Sequence, residues 1–331
     1  LTFTGGQKDQ QGGSFRIEGD YYYDNNLNKN RISLMQPKFK NCVFKDNKSL
    51  NFSTGGAISL INASSIFESC VFDNNYSNSG GGAMILGGDA SAYRDTVWIV
   101  KSTFKNNLVD DDGQTENSNN KNAIGGAIKI DFGMNIVILN SLFENNQTIK
   151  RNNGSGSAGG AISIGWGQGW DWQINPLVWI INSRFTKNKV SHTFGNRNSD
   201  GGAIYGGAPF VMVNTLVDSN TAVVANNSRG TGGGMFIDVQ STWDNNGTEV
   251  FGTSYLISNT IVDNYAGASQ GEGEAGGIYI AFPERQEGTW FNNIIWGNRA
   301  ANISESANEW RHNLNYIDEN NFKLNTDYNN V

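Results

Sequence analysis

The sequence predicts an all-β fold, a single-domain β-solenoid of about eight coils with long loops at two corners, on three observations. GGAI recurs at 55–58, 125–128, 159–162 and 201–204, with the variants GGAM at 81–84, GGGM at 232–235 and AGGI at 275–278. A second motif alternates strictly with it: NCVFKDN at 41–47, SCVFDNN at 69–75, KSTFKNN at 101–107, NSLFENN at 140–146, NSRFTKN at 182–188 and NTLVDSN at 214–220. It continues in the looser NTIVDN at 259–264 and NIIWGN at 293–298. Within both motifs the apolar residues follow a period of two, and helical spacing is absent.

Taken in chain order, residues 1–38 read as a capping or entry segment, 39–300 as the repeats, and 301–331 as a closing coil and tail, with DENNFKLNTD (318–327) as its closing strand. In the GGA strand, Ile58 and Leu60 share one face. In the second motif Cys42 and Phe44 share the inward face, because the alternate position accepts Val43, Thr103 and Arg184 and must point outward. Phe44, Phe72, Phe104, Phe143 and Phe185 are therefore expected to stack in one buried row. A further strand precedes each phenylalanine motif, as in VWIV (97–100), IVIL (136–139) and VWII (178–181), giving about three strands per repeat. Trp98, Trp179 and Trp290 begin such strands and are read as packing residues. The closing asparagines Asn47, Asn75, Asn107, Asn146, Asn188 and Asn220 are expected to form a stacked amide ladder, and the GGA glycines to turn where a Cβ would clash.

At these residues the chain resembles the polymorphic outer-membrane protein repeat, whose passenger domains alternate GGA[ILV] and FxxN motifs. The resemblance covers residues 39 to about 298 and implies a right-handed parallel β-helix of pectin-lyase-like type. It implies a secreted or cell-surface setting, but such helices also include enzymes and filaments. The coils here are longer and less even than the family's minimal repeat, so the extra residues must leave as loops.

Composition narrows the function. With 24 basic and 31 acidic residues, a net charge of -7 and no basic cluster, the chain is a poor partner for nucleic acid or anionic membrane. No apolar run approaches the roughly 18 residues of a transmembrane helix. Cys42 and Cys70 occupy one inward slot in consecutive coils, a slot expected to continue through Ser102, Ser141, Ser183, Thr215 and Thr260; both are read as free buried thiols.

The candidate contact residues are aromatic. GWGQGWDW (165–172) places Trp166, Trp170 and Trp172 in one loop, and Trp243 lies in another loop at the same corner, with Tyr93, Phe251 and Phe282 nearby. Indoles on such loops serve either as a binding face for glycan or protein or as lids over the flank of the helix. Asp110, Asp111 and Asp112 supply hard oxygens that could hold Ca2+, although the spacing of a known calcium loop is missing. His192 and His312 read as surface residues, Glu284-Arg285 stands alone, and no nucleophile motif accompanies them. Nine Asn-x-Ser/Thr sequons, at Asn47, Asn51, Asn62, Asn75, Asn146, Asn153, Asn226, Asn246 and Asn302, are about what so asparagine-rich a chain contains by chance.

The expected function is that of a non-catalytic extracellular or cell-surface protein acting in adhesion or surface assembly, with a glycan or surface protein as partner. The alternatives are a polysaccharide lyase or glycoside hydrolase on the same fold and a self-associating, filament-forming subunit.

Overall fold

The computed structural model describes residues 1–8, 12–19, 21–24, 29–32, 36–50, 54–88, 95–111, 122–131, 133–151, 156–165, 177–193, 198–225, 228–239, 242–243, 249–250, 252–268, 273–281, 286–301, 313–316 and 323–327. The chain winds into a right-handed parallel β-helix. Among the described residues, four sheets of nine strands run its length, one strand of each per coil. The phenylalanine sheet begins at Thr2–Thr4 and ends at Ile294–Trp296. A short-strand sheet runs from Gln7–Lys8 to Arg299–Ala300, and the GGA sheet from Phe15–Glu18 to Leu314–Tyr316. The long-strand sheet runs from Lys38–Lys40 to Lys323–Asp327, the last being the closing strand expected from the sequence.

Two expectations change in detail. The N-terminal residues do more than cap the helix: Thr2–Thr4, Gln7–Lys8 and Phe15–Glu18 pair in parallel with the next coil, so the described residues form nine layers, in line with the expected number of about eight. Each coil also has a fourth strand, the two to four residues after the ladder asparagine, such as Lys48–Ser49 and Gln147–Lys150. These are too short and too polar to announce themselves by periodicity.

The corners explain why asparagine and glycine dominate the chain. One residue per corner adopts left-handed φ: Asn140 (50°), Asn182 (50°) and Asn214 (47°) before the phenylalanine strand, and Asn74 (55°), Asn106 (57°) and Asn145 (53°) after it. Asparagine tolerates this region better than other side-chain-bearing residues, and glycine enters it freely, as Gly125 does at φ 65° in the GGA corner. The second glycine of that motif answers a different need. A Cβ on Gly126 would collide with the carbonyl oxygen of Gly160 in the next coil and would lie 2.7 Å from that of Gln147.

Inside, side chains stack coil upon coil. Phe44, Phe72, Phe104, Phe143 and Phe185 form the expected row, their ring centroids 4.5–4.9 Å apart and their planes within 3–5° of parallel. Beside them the amide of each ladder asparagine donates to the next one's Oδ1 and to a backbone carbonyl; Asn107 Nδ2, for example, reaches Asn146 Oδ1 at 2.9 Å and the Phe72 carbonyl at 3.0 Å. The ladder extends beyond the expected six residues through Asn264 and Asn298 to Asn313.

The small-residue slot holds unbridged, buried Cys42 and Cys70, then Ser102, Ser141, Ser183 and Thr215. Its next occupant is Asn259 and not the expected Thr260, because Thr260 pairs with Leu216 one position on. His192, expected at the surface, is 2% exposed, since its strand Lys189–His192 turns alternate residues inward. His312 lies outside the described residues. Asn47, Asn75 and Asn146 are buried in the ladder, which takes three of the nine sequons out of reach in the folded protein.

Candidate functional site

Strand parity determines what the helix shows to its surroundings. In the long-strand sheet Val97 and Ile99, Ile136 and Ile138, and Val178 and Ile180 point inward and are fully buried. The residues between them must point outward, and they stand in register as one row, Trp98, Val137, Trp179, Val211, Tyr255 and Thr289, in which Val211 is buried at 9% exposure. Trp98 is 40% exposed, Trp179 39% and Tyr255 40%. Single exposed rings are common on protein surfaces, whereas a continuous apolar row such as this one marks interaction sites more often. A second outward row, Val100, Leu139, Ile181, Val213 and Ile257, is half-buried beside the first.

The face is uncharged. On the five strands from Asp95–Val100 to Gly252–Ile257, the outward positions from Thr96 to Ile257 carry only Thr, Asn, Trp, Tyr and aliphatic residues. Amide groups line the adjoining corner, where Asn214 Nδ2 donates to Asn182 Oδ1 at 2.8 Å, and Lys101 occupies the same corner one coil before Asn140. Charge returns at both ends of the face, in the first coils where Lys40 pairs with Glu68 at 3.0 Å, and on the strand after Gly252–Ile257, where Glu287 stands in register with Thr253.

Trp98 and Trp179, expected to pack, therefore face solvent, whereas Trp290 packs as expected, fully buried with its indole N–H donating to Ser254 Oγ at 3.3 Å. The signal was present in V-W-I-V and V-W-I-I, where each indole sits at the parity opposite to two aliphatic neighbours. Trp166, Trp170 and Trp172 lie outside the described residues, as do Tyr93, Phe251, Phe282 and Glu284-Arg285. Trp243 belongs to a short antiparallel pair, Thr242–Trp243 with Glu249–Val250. Connectivity relates these segments to the exposed row: residues 166–176 lead into the strand of Trp179, and 240–251 into that of Tyr255.

The acidic candidates have cationic partners. Asp110 accepts two hydrogen bonds from the Arg151 guanidinium, both 2.6 Å, and holds it further above the usual arginine range. Asp111 is fully buried with Lys150 Nζ at 2.8 Å, and also accepts the Arg151 backbone N–H at 2.7 Å. Asp112 lies outside the described residues, among which no group of three His, Cys, Asp or Glu side chains is placed to hold a metal ion.

A second arrangement escaped the sequence reading. Five two-residue strands, Ala123–Ile124, Ser157–Ala158, Ser199–Asp200, Gly230–Thr231 and Gly273–Glu274, form a narrow parallel sheet ahead of the GGA corners. Tyr205, Phe236 and Tyr279, outward on the GGA sheet, stack at 5.2–5.4 Å and join Ile124 and Ala158 in a small core of their own. Three carboxylates surround this stack. Asp238 accepts the Tyr205 hydroxyl at 2.9 Å, Glu274 pairs with Arg229 at 2.7 Å, and Asp200 accepts the Thr231 hydroxyl. Burial pushes the Asp200 carboxyl up to about 7; the Thr231 bond opposes this, and the charges of Asp238 and Glu274 add to it. Burial and the same carboxylates raise both tyrosine hydroxyls. These residues are scattered through coils of unequal length, so nothing in the linear sequence groups them.

Compared with protein-family models, curated proteins and solved structures, the chain matches none.

Proposed function

We propose that the chain is a non-catalytic extracellular or cell-surface β-helix that binds glycan or a surface protein through the outward face of its long-strand sheet. The exposed row of Trp98, Trp179 and Tyr255 carries this reading: three large rings on the central strands of one rigid sheet, whose outward positions there are uncharged, with amides along the edge. The loop tryptophans Trp166, Trp170 and Trp172, together with Trp243, extend the same reading, because their segments feed the strands of Trp179 and Tyr255. Resemblance to the GGA[ILV]/FxxN passengers supports the extracellular setting. The test compares the protein with its W98A/W179A/Y255A variant on a glycan array and, by flow cytometry, on intact cells. Binding that disappears in a variant of unchanged thermal stability supports the proposal; binding that persists undiminished refutes it.

A polysaccharide lyase or hydrolase is the second reading. The Asp200 carboxyl, raised to about 7 beside Asp238 and Glu274, would supply a general acid at neutral pH. Incubation with neutral and acidic polysaccharides, with and without calcium, should then yield new reducing ends or unsaturated product that D200N fails to release. No product from any polysaccharide removes this reading.

A further inference from the structure

Resting on that binding reading, we infer that the ligand of the long-strand face is an uncharged, extended β-1,4-linked polysaccharide lying along the helix axis. The spacing of the rings is the argument. Trp98 and Trp179 are separated by the one coil that carries Val137, and Trp179 and Tyr255 by the one that carries Val211, so aromatic and aliphatic residues alternate strictly. Coils stack at about 4.8 Å, which puts the rings roughly 9.6 Å apart and the outer two roughly 19 Å apart.

A pyranose joined equatorially through C1 and C4 advances its chain by close to one coil height. Successive units of the extended chain are turned by about half a turn, so every second unit presents the same face. Aromatic rings at every second coil therefore meet every second sugar in the same orientation, and the smaller Val137 and Val211 lie under the units between. Such a sugar face is rich in C–H groups and stacks on an aromatic ring, while its hydroxyls reach the rim, where Asn182 and Asn214 stand at the corner. An α-1,4 or β-1,3 chain coils and leaves a straight row after one or two units.

Charge decides between neutral and acidic chains. The face offers no cation on its five central strands, Lys101 stands only at its rim, and the protein carries a net charge of -7, so a uronate polymer gains little here and is repelled at long range. A strand-adding protein segment finds no purchase either, because the backbone groups of these strands are already paired with the coils above and below.

Isothermal titration with matched hexasaccharides tests the inference: β-1,4-glucan, α-1,4-glucan, β-1,3-glucan and α-1,4-galacturonan. The β-1,4-glucan is expected to bind alone or at least tenfold more tightly than the rest. Its affinity should climb with chain length until about five units span the three rings, then level off. W98A, W179A and Y255A should each weaken binding roughly tenfold. The decisive variant is W98A/V137W, which keeps three rings but moves one to the adjacent coil. It should stay as weak as W98A, since the displaced ring meets the wrong sugar face, whereas a merely sticky surface would recover. Equal binding of the other linkages, or recovery in W98A/V137W, overturns the inference. If no hexasaccharide binds while cell or array binding still depends on the three rings, the inference fails and the binding reading stands; if nothing depends on them, both fail.

Discussion

At Asp200 burial overrides ordinary carboxylate chemistry. Its carboxyl titrates near 3.8 when unfolded and about 7 when folded. A folded pKa raised in this way means that the native state holds its proton more tightly. The contribution of Asp200 to stability is therefore complete below about pH 4 and is lost as pH rises through about 7. D200N cannot ionise, so the fall in Tm between pH 5 and pH 8 should be smaller in D200N than in the parent; parallel Tm profiles would show that the site does not hold its proton.

Asp110 and Asp111 illustrate the other use of carboxylates. D111N leaves the Lys150 ammonium buried without its counter-charge and should destabilise by about 3–5 kcal/mol. D110N breaks an ion pair whose arginine is half exposed and should cost less than about 1 kcal/mol. Urea denaturation of the two variants measures the contrast, and equal losses would contradict it. Adjacent in sequence and alike in type, the two residues could not be told apart before the fold placed one inside and one at the rim.

At the scale of the element, what the sequence made legible is what repeats at fixed phase. The phenylalanine row, the asparagine ladder and the GGA corner each rest on one residue recurring at one place in the coil, and each stands as expected. The fourth strand and the Tyr205–Phe236–Tyr279 stack were not legible. The first is only two to four residues long in each coil, and the second draws on three coils among many that carry Ser59, Ile85 or Lys129 at the same register. The exposed tryptophans are hard to place from sequence for a related reason: an indole beside aliphatic residues invites a core assignment, and only strict parity contradicts it.

The GGA corner gives the sharpest prediction at this scale. G126A adds one methyl group, yet that methyl has backbone carbonyls on two sides and no flexible side chain to move. It should destabilise by more than about 2 kcal/mol and disturb the coil above. Alanine at Gly87, where the nearest atom would be the Asp131 Cβ at 3.4 Å, should be nearly silent. Thermal unfolding of the two variants distinguishes a steric requirement at one position from a general intolerance of the GGA strand.

For the whole molecule, the governing fact is that, among the described residues, each strand of the long sheets hydrogen-bonds only to the strands of the adjacent coils. Stability is then close to a sum of coil terms and nearest-neighbour interface terms, as in other linear arrays. Position along the rod then matters as much as chemistry. Phe143 lies mid-rod, its ring 4.9 Å from Phe104 and 4.6 Å from Phe185, and removing it damages two interfaces at once. Phe3 lies in the first coil and stacks within the phenylalanine row on Phe44 alone, at 5.1 Å. F143A should cost about 3–5 kcal/mol, and because it weakens the junction between two half-rods it should also broaden urea unfolding, lowering the apparent m-value. F3A should fray one end and cost less, with m nearly unchanged. If instead both variants unfold in one transition of unaltered m, the rod behaves as a single cooperative block. Its aromatic face would then owe its rigidity to the whole length of the helix, not to the coils that carry Trp98, Trp179 and Tyr255.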